Sequence, residues 1–208
     1  MTDDANIKER IISEATNKFR TEGFARTSID DFVGSLAMSK KTFYRVFSSK
    51  EDLVEQLANR NMGGVATQIE RIATGNEDFV AKLHSLLQFL GTIPIKIGVP
   101  FIHDLQKVYP HLWNKIKKFR AERVVTIFGK LVDQGKEEGY IRPEVNKRVF
   151  LLCYLASVQA IMQPDVLSNE SFSAKEAIQG IMDLYFRGAM TDAAHREFDN
   201  MQINNQFS

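Results

Sequence analysis

The chain has 208 residues, of which 44% are hydrophobic and 25% charged, and its 27 basic and 26 acidic side chains leave a net charge of +1. This composition is typical of a soluble globular protein and excludes a disordered or fibrous chain. Because the whole chain is nearly neutral, any attraction to nucleic acid must come from a local patch.

The single cysteine, Cys153, lies inside an apolar run and has no partner for an intrachain disulfide. We expect it to be a small buried hydrophobe in a reducing cytosol. The first residues lack the pattern of a secretory signal, and the longest apolar stretch, Val149 to Met162, is shorter than the roughly 20 residues of a membrane span. The sequence therefore predicts a cytoplasmic protein with no membrane partner.

The first two helices are predicted from apolar spacing and from cap residues. Apolar side chains recur every four positions from Ile7 to Phe19, which predicts a helix that ends at Gly23. Ser28, with Asp31 three residues later, has the pattern of a capping box and predicts the start of a short second helix.

A third helix is predicted inside the segment SKKTFYRVFSSKEDL, which runs from Ser39 to Leu53. Ser39 is its expected N-cap, and Phe43 and Phe47 are expected to face inward. A capping box from Ser48 to Glu51 predicts a longer fourth helix. Because a short turn joins the second and third helices, the segment has the pattern of a helix-turn-helix, whose later helix lies in the major groove of DNA.

The residues that remain on the outward side of the third helix are cations, a hydroxyl and a phenol: Lys40, Lys41, Thr42, Tyr44 and Arg45. These side chains reach phosphates and base edges. The alternative is that some of them only keep a helix in solution. Taken together, they predict a surface for a polyanion.

The segment GFARTSIDDFVGSLAMSKKTFYRVFSSKEDL, in the first quarter of the chain, resembles the DNA-binding segment of the TetR family of bacterial transcriptional regulators. Lys41 stands where most members have glycine, and Arg45 where histidine is common. The resemblance implies phosphate contacts by Thr27, Ser28, Tyr44 and Lys50. The whole DNA interface it implies is Thr27, Ser28, Ser39, Lys40, Lys41, Thr42, Tyr44, Arg45 and Lys50.

The middle of the chain is rich in aromatic residues, and a helix starting near Pro100 has an apolar face of Phe101, Leu105 and Val108. This pattern favours either a ligand cavity or an ordinary core in which Asp104 pairs with a cation and His103 faces water. The TetR resemblance implies a small-molecule effector here. The candidate effector residues are Met62, Phe89, Phe101, His103, Asp104, Trp113 and Phe128.

The helix predicted over Lys147–Met162 is apolar on nearly every side, so it must be covered on every side. A second long helix, starting at a capping box of Ser173 and Glu176, is also widely apolar. We expect the two helices to form a homodimer interface, as the resemblance also implies; the alternative is a monomeric bundle. The candidate residues are Phe150, Cys153, Tyr154, Ile161, Ile178, Ile181, Met182 and Tyr185.

The sequence thus predicts an all-α protein, with a three-helix DNA-binding domain over residues 1–50 and a larger helical effector-binding and dimerisation domain over residues 51–208. The expected partners are a palindromic double-stranded operator, a second copy of the chain and an unidentified effector. The chain has no phosphate loop, no nucleophile elbow and only scattered histidines, so no enzyme activity, cofactor or metal is expected. The rival function is an architectural DNA-binding protein without an effector.

Overall fold

In the computed structural model, which describes residues 3–206, the regular elements are helices, so the prediction of an all-α fold is confirmed. In chain order they are α1 (Asp3–Glu22), α2 (Ile29–Ser35), α3 (Lys40–Val46), α4 (Lys50–Ala73), α5 (Phe79–Ile97), α6 (Val99–Val108), α7 (Pro110–Glu137), α8 (Lys147–Ile161), α9 (Pro164–Asn169), α10 (Ala174–Ala189) and α11 (Asp192–Gln206). Over these residues no single helix is long and apolar enough to cross a membrane, and only α5 and α6, as a bent pair, reach that length and composition together.

The chain forms two compact units. The first contains Met1–Val65 and Pro94–Lys118, and the second contains Ala66–Ile93 and Phe119–Ser208. The first unit therefore includes the predicted DNA-binding segment 1–50 and extends beyond it, since α6 and the start of α7 also belong to it. Each unit has its own buried aromatic cluster.

The core of the first unit is built from phenylalanines, and six of them are at most 2% exposed: Phe19, Phe24, Phe32, Phe43, Phe47 and Phe101. Phe101 of α6 packs edge-on against Phe24, with ring centroids 5.6 Å apart. Burying one such side chain stabilises the fold by roughly 2–3 kcal/mol. A helix distant in sequence therefore completes the core of the first three helices.

α1 follows the predicted apolar stripe, with Ile11, Ala15 and Phe19 among its buried residues. The helix ends at Glu22, and Gly23 has a φ of 77°. A Cβ at Gly23 would collide with the Asp104 carboxylate. Glycine is therefore required here both for the left-handed backbone and for the close approach of α6.

The turn between α2 and α3 has the helix-turn-helix form. Ser28 and Asp31 make the predicted reciprocal capping box at the start of α2. Ala37, in the turn, has a φ of 50° and is the one non-glycine residue of the described chain with a positive φ. The Ser39 hydroxyl then accepts the Thr42 N–H at 3.1 Å and caps α3. The short turn fixes the direction in which α3 leaves α2.

The start of α4 differs from the predicted capping box of Ser48 and Glu51. The Ser49 hydroxyl accepts the Asp52 N–H at 3.0 Å, and the Ser48 N–H donates to Asp52 Oδ2 at 2.8 Å. The predicted capping box was wrong because α4 begins at Lys50. The capping residue is therefore Ser49, and its partner is Asp52, the third residue of the helix.

The second unit packs α8 and α10 around aromatic rings. Phe150 and Phe186 lie edge-on with centroids 5.0 Å apart, and Tyr154 stacks on Phe128 of α7 at 5.2 Å. These side chains are therefore covered inside a single chain. Cys153, on another side of α8, is exposed, so the expectation of a buried cysteine was wrong.

The break between α5 and α6 lies at a glycine and not at the preceding proline. Pro94 lies inside α5, and the break comes at Gly98, which has a φ of 92°. The helix that starts after Ser173 is followed by α11, which the sequence analysis did not predict. The mixed polarity of α11 left no clear apolar stripe to recognise.

Candidate nucleic-acid interface

The two sides of α3 differ sharply in polarity. Phe43 is fully buried in the core of the first unit. On the other side Lys40, Lys41 and Arg45 are exposed, and Tyr44 is 50% exposed with its ring edge-on to Phe43 at 5.4 Å. The buried phenylalanine therefore fixes the rotation of α3 and directs three cations and a phenol outward, as predicted.

The exposed cations of α3 differ in their surroundings. Lys40 Nζ lies 2.8 Å from Asp30 Oδ1, and this hydrogen bond raises the pKa of Lys40 above its ordinary value. Lys41 is exposed and makes no ion pair within the described residues. Lys41 is therefore the cation of α3 that is directly available to a phosphate.

Arg45 contacts two carboxylates at the start of α1. Its Nη2 lies 2.8 Å from Asp3 Oδ2, and its Nε lies 2.6 Å from Asp4 Oδ1. This cluster was not predicted from the sequence. Apolar periodicity predicts that α1 is a helix, but it does not predict which helix the first turn of α1 contacts. The only available signal was the pair of acidic residues itself.

The structure gives Thr27 a different place from the predicted phosphate contact. Thr27 is 7% exposed, and its hydroxyl donates to the Gly23 carbonyl at 3.5 Å. Ser28 is exposed, but its hydroxyl and its N–H both donate to Asp31 Oδ2, at 2.6 and 3.2 Å. These bonds lower the pKa of Asp31. Thr27 therefore holds the loop between α1 and α2 together.

Lys50 is attached to the same loop. Its Nζ donates to the Ala25 carbonyl at 3.5 Å and lies 5.8 Å from the centre of the Phe24 ring. Burial lowers the pKa of Lys50, and the nearby Asp104 carboxylate opposes that shift. The ammonium is half-buried, so it supports the loop as well as adding positive charge to this side of the unit.

Asp104 of α6 holds the loop from the other side. Its Oδ2 accepts the N–H groups of Phe24 and Ala25, each at 2.6 Å, and its side chain is only 15% exposed. His103 is partly exposed, with Nδ1 3.5 Å from Asp104 Oδ1. The carboxylate of Asp104 thus accepts two backbone N–H groups, whereas the partner expected from the sequence was a cation or an effector.

We expect Asp104→Ala to lower the free energy of unfolding of the first unit by about 2–3 kcal/mol, because it leaves two backbone N–H groups without their charged acceptor. Asp104→Asn keeps one acceptor oxygen and should lose less. Fluorescence of Trp113, the one tryptophan of the chain, measures the loss during denaturation, since this ring packs on the first core. Equal stability of the alanine variant and the native chain would contradict the assigned role.

The other candidate effector residues are divided between the two units. Met62, Phe101 and Trp113 belong to the first, and Phe89 and Phe128 to the second. Phe101 and Phe128 are almost fully buried in their respective cores. On the predicted apolar face of α6, Phe101 and Leu105 are buried, whereas Val108, the last residue of the helix, is 44% exposed.

The candidate dimer residues fall into two groups. Phe150, Tyr154, Ile181 and Met182 are at most 7% exposed, because the core of their own chain already covers them. This burial revises their predicted role, since a second chain cannot cover them again. Those that remain at least partly exposed are Cys153, Ile161, Ile178 and Tyr185.

Three large apolar side chains of the second unit are well exposed: Val149 (56%), Leu152 (48%) and Leu184 (72%). They lie on α8 and α10, where a groove of about 510 Å³ is lined by Arg142, Val145, Asn146, Val149, Phe150, Cys153, Leu184, Tyr185, Gly188 and Ala189. The sequence analysis missed these three residues because an all-round apolar helix does not reveal which side its own chain covers.

Residues 11–57 match the family described as bacterial regulatory proteins, tetR family. An uncharacterized HTH-type transcriptional regulator from Bacillus subtilis (strain 168), YvaF, is 26% identical over 189 residues, which are 89% of this chain and 97% of that protein. Residues 11–57 of the chain are therefore similar to the DNA-binding segment of TetR-family regulators. These similarities indicate a transcriptional regulator rather than an enzyme, in agreement with the prediction from the sequence.

Solved structures of other regulators share the TetR-family fold. A transcriptional regulator from Cytophaga hutchinsonii ATCC 33406 superimposes with a TM-score of 0.71 at 16% identity, covering 88% of this chain and 98% of its own. A TetR regulator from Chloroflexus aurantiacus J-10-FL gives 0.66 at 22% identity, covering 91% and 98%. In the described part of the chain, no group of three or more His, Cys, Asp or Glu side chains is arranged to hold a metal ion.

Proposed function

We propose that this protein is a cytoplasmic TetR-family repressor that binds a palindromic operator as a homodimer and releases it when a small-molecule effector binds the domain over residues 51–208. The proposal rests on the orientation of α3. Phe43 is buried, so the opposite side of the helix exposes Lys40, Lys41, Tyr44 and Arg45 to solvent. A helix with this charge fits the major groove, where lysine and arginine reach phosphates and guanine edges.

The exposed apolar side chains of α8 and α10 support a dimer. Leu184 has glycines one turn before and after it, Gly180 and Gly188, and open space surrounds the Cβ position of both. A second chain can therefore approach this side of α10 closely, with a leucine of one copy beside the glycines of the other. Contiguous exposed apolar surface of this kind marks an association site.

Two copies explain how a short helix gains sequence specificity. One α3 reads few base pairs, whereas two copies related by a two-fold axis read both halves of a palindrome. An effector lowers DNA affinity only to the extent that it binds the conformation unable to bind DNA more tightly than the DNA-binding conformation. The rival proposal, an architectural protein without an effector, stays open because the candidate effector residues are divided between the two units.

The test is to select duplexes that bind the purified full chain from a random library and to measure their affinity as a function of salt. We expect a palindromic consensus, a second copy of the chain in each complex and a steep loss of affinity with salt. Adding extracts of cell metabolites should then release the operator. An architectural protein would show no consensus and no response to metabolites.

We expect Arg45→Ala to relax the preference at one base pair of the selected operator by about 1–3 kcal/mol, because a bidentate guanine contact is lost. Tyr44→Ala should instead weaken all duplexes about equally and leave the consensus unchanged, since a phosphate contact carries no sequence information. Lys130 is an exposed cation of the second unit. Lys130→Ala is the control and should change neither the affinity for DNA nor the base preference. A uniform loss with Arg45→Ala would refute its base contact.

A further inference from the structure

The acidic first turn of α1 lies against α3. Arg45 donates through Nη2 to Asp3 at 2.8 Å and through Nε to Asp4 at 2.6 Å. A guanidinium presents its donors as a planar fork, and the same fork recognises phosphate oxygens and the edge of guanine. The two carboxylates therefore occupy donors that a DNA contact by Arg45 requires.

We propose that Asp3 and Asp4 set the DNA affinity of this protein by competing with DNA for Arg45. The inference rests on the proposed DNA contact of Arg45 and adds two residues that lower affinity. A carboxylate resembles a phosphate as an anionic hydrogen-bond acceptor, so it is an intramolecular substitute for the duplex.

The pairs are weak enough for a duplex to replace them. The side chain of Arg45 is 46% exposed, and those of Asp3 and Asp4 are 81% and 57% exposed. Water and salt screen ion pairs that are this accessible, so each contributes little. Once Arg45 turns to DNA, the two carboxylates remain near phosphates of the same sign. Both the broken pairs and this repulsion lower DNA affinity.

The geometry distinguishes Arg45 from the other cations of α3. Lys40 has one carboxylate partner, Asp30, at 2.8 Å, and Lys41 has none in the described chain. The competition is therefore strongest at the residue best suited to a bidentate contact, and removing the two acids should release that residue without altering the lysines.

The experiment uses the full chain with Asp3→Asn and Asp4→Asn together and the duplex that binds the native chain most tightly in the selection from a random library. Anisotropy titrations should show binding roughly three- to tenfold tighter than that of the native chain, and a steeper dependence on salt. The double variant Asp133→Asn/Glu137→Gln removes the same charge from exposed positions of α7. This control should change affinity by less than about 1.5-fold, because exposed charges are screened by salt and Asp133 pairs with Lys147 rather than with a cation of α3.

The same two substitutions made in an Arg45→Ala background isolate the competition. If the acids act through Arg45, their removal in the Arg45→Ala background should increase DNA affinity by less than about half of the increase seen in the native background. The effects of interacting residues are not additive. An equal gain in both backgrounds means a general charge effect and overturns the proposal. A loss of affinity in the asparagine variant means that the acids position Arg45 for DNA, which also overturns it.

The proposed function is tested separately by Arg45→Ala alone. If this variant binds DNA as tightly as the native chain, then the DNA contact of Arg45 is refuted and the competition with it. If Arg45→Ala weakens binding while the asparagine variant shows no gain, only the competition is refuted. Fluorescence of Trp113 during denaturation verifies that each variant is folded, since this ring packs on the first core.

Discussion

Replacing Gly98 with alanine is expected to lower the free energy of unfolding of the first unit by at least about 3 kcal/mol. A Cβ at Gly98 would lie 2.6 Å from the Cα and 2.8 Å from the carbonyl carbon of Arg20, and would collide with its carbonyl oxygen. These are backbone atoms of α1, which no side-chain rotation moves aside. Gly98 also has a φ of 92°, which side chains of L-residues disfavour.

Gly139→Ala separates the two causes of this loss. Gly139 has a φ of 77°, but no neighbouring atom lies within 4 Å of the Cβ position. Its replacement should therefore cost only the backbone strain, about 1–2 kcal/mol. Circular dichroism during denaturation in guanidinium chloride measures both variants. Equal losses would contradict a steric contact between Gly98 and α1.

Replacing Leu184 with glutamate is expected to separate the proposed dimer into single chains and to weaken operator binding by more than about 100-fold. Leu184 is 72% exposed on α10, and in the dimer it would lie against a second chain. A carboxylate buried between two apolar surfaces is strongly unfavourable, because its loss of hydration exceeds what an ion pair returns. A single chain has one α3 and loses the gain in effective concentration that a second half-site supplies.

Sedimentation velocity at micromolar concentration measures this change. Val108→Glu is the matched control, because Val108 is an apolar residue that is 44% exposed but lies on α6, outside the proposed interface. This control should remain a dimer. A Leu184→Glu variant that stays dimeric, or a native chain that is monomeric under the same conditions, would refute the proposed interface.

Local signals predicted most of the fold correctly. The stripe from Ile7 to Phe19 gave α1, and the capping boxes of Ser28 and Ser173 mark the observed starts of α2 and α10. Such signals are reliable because the cap and the stripe act within one or two helical turns. The Ser39 cap and the inward-facing Phe43 predicted α3 and its outward cations, and Phe43 is fully buried in the structure.

The tertiary contacts were less predictable, and Asp104 is the clearest case. Its neighbours in sequence favoured an ion pair or an effector, yet its partners are two backbone N–H groups about eighty residues earlier in the chain. Arg45 and its partner Asp3 at the start of α1 are 42 residues apart. Periodicity shows which side of a helix is apolar, but the partner of a polar side chain depends on how the helices pack.

Phe101, Leu105 and Leu112 complete the core around α1, α2 and α3. During translation these residues are added only after the first hundred, and the first unit is complete only at residue 118. At about 5–20 residues per second, the first three helices spend several seconds outside the ribosome with their phenylalanines uncovered. They are therefore natural clients for chaperones, and a graft of the first fifty residues onto another protein would lack part of their core.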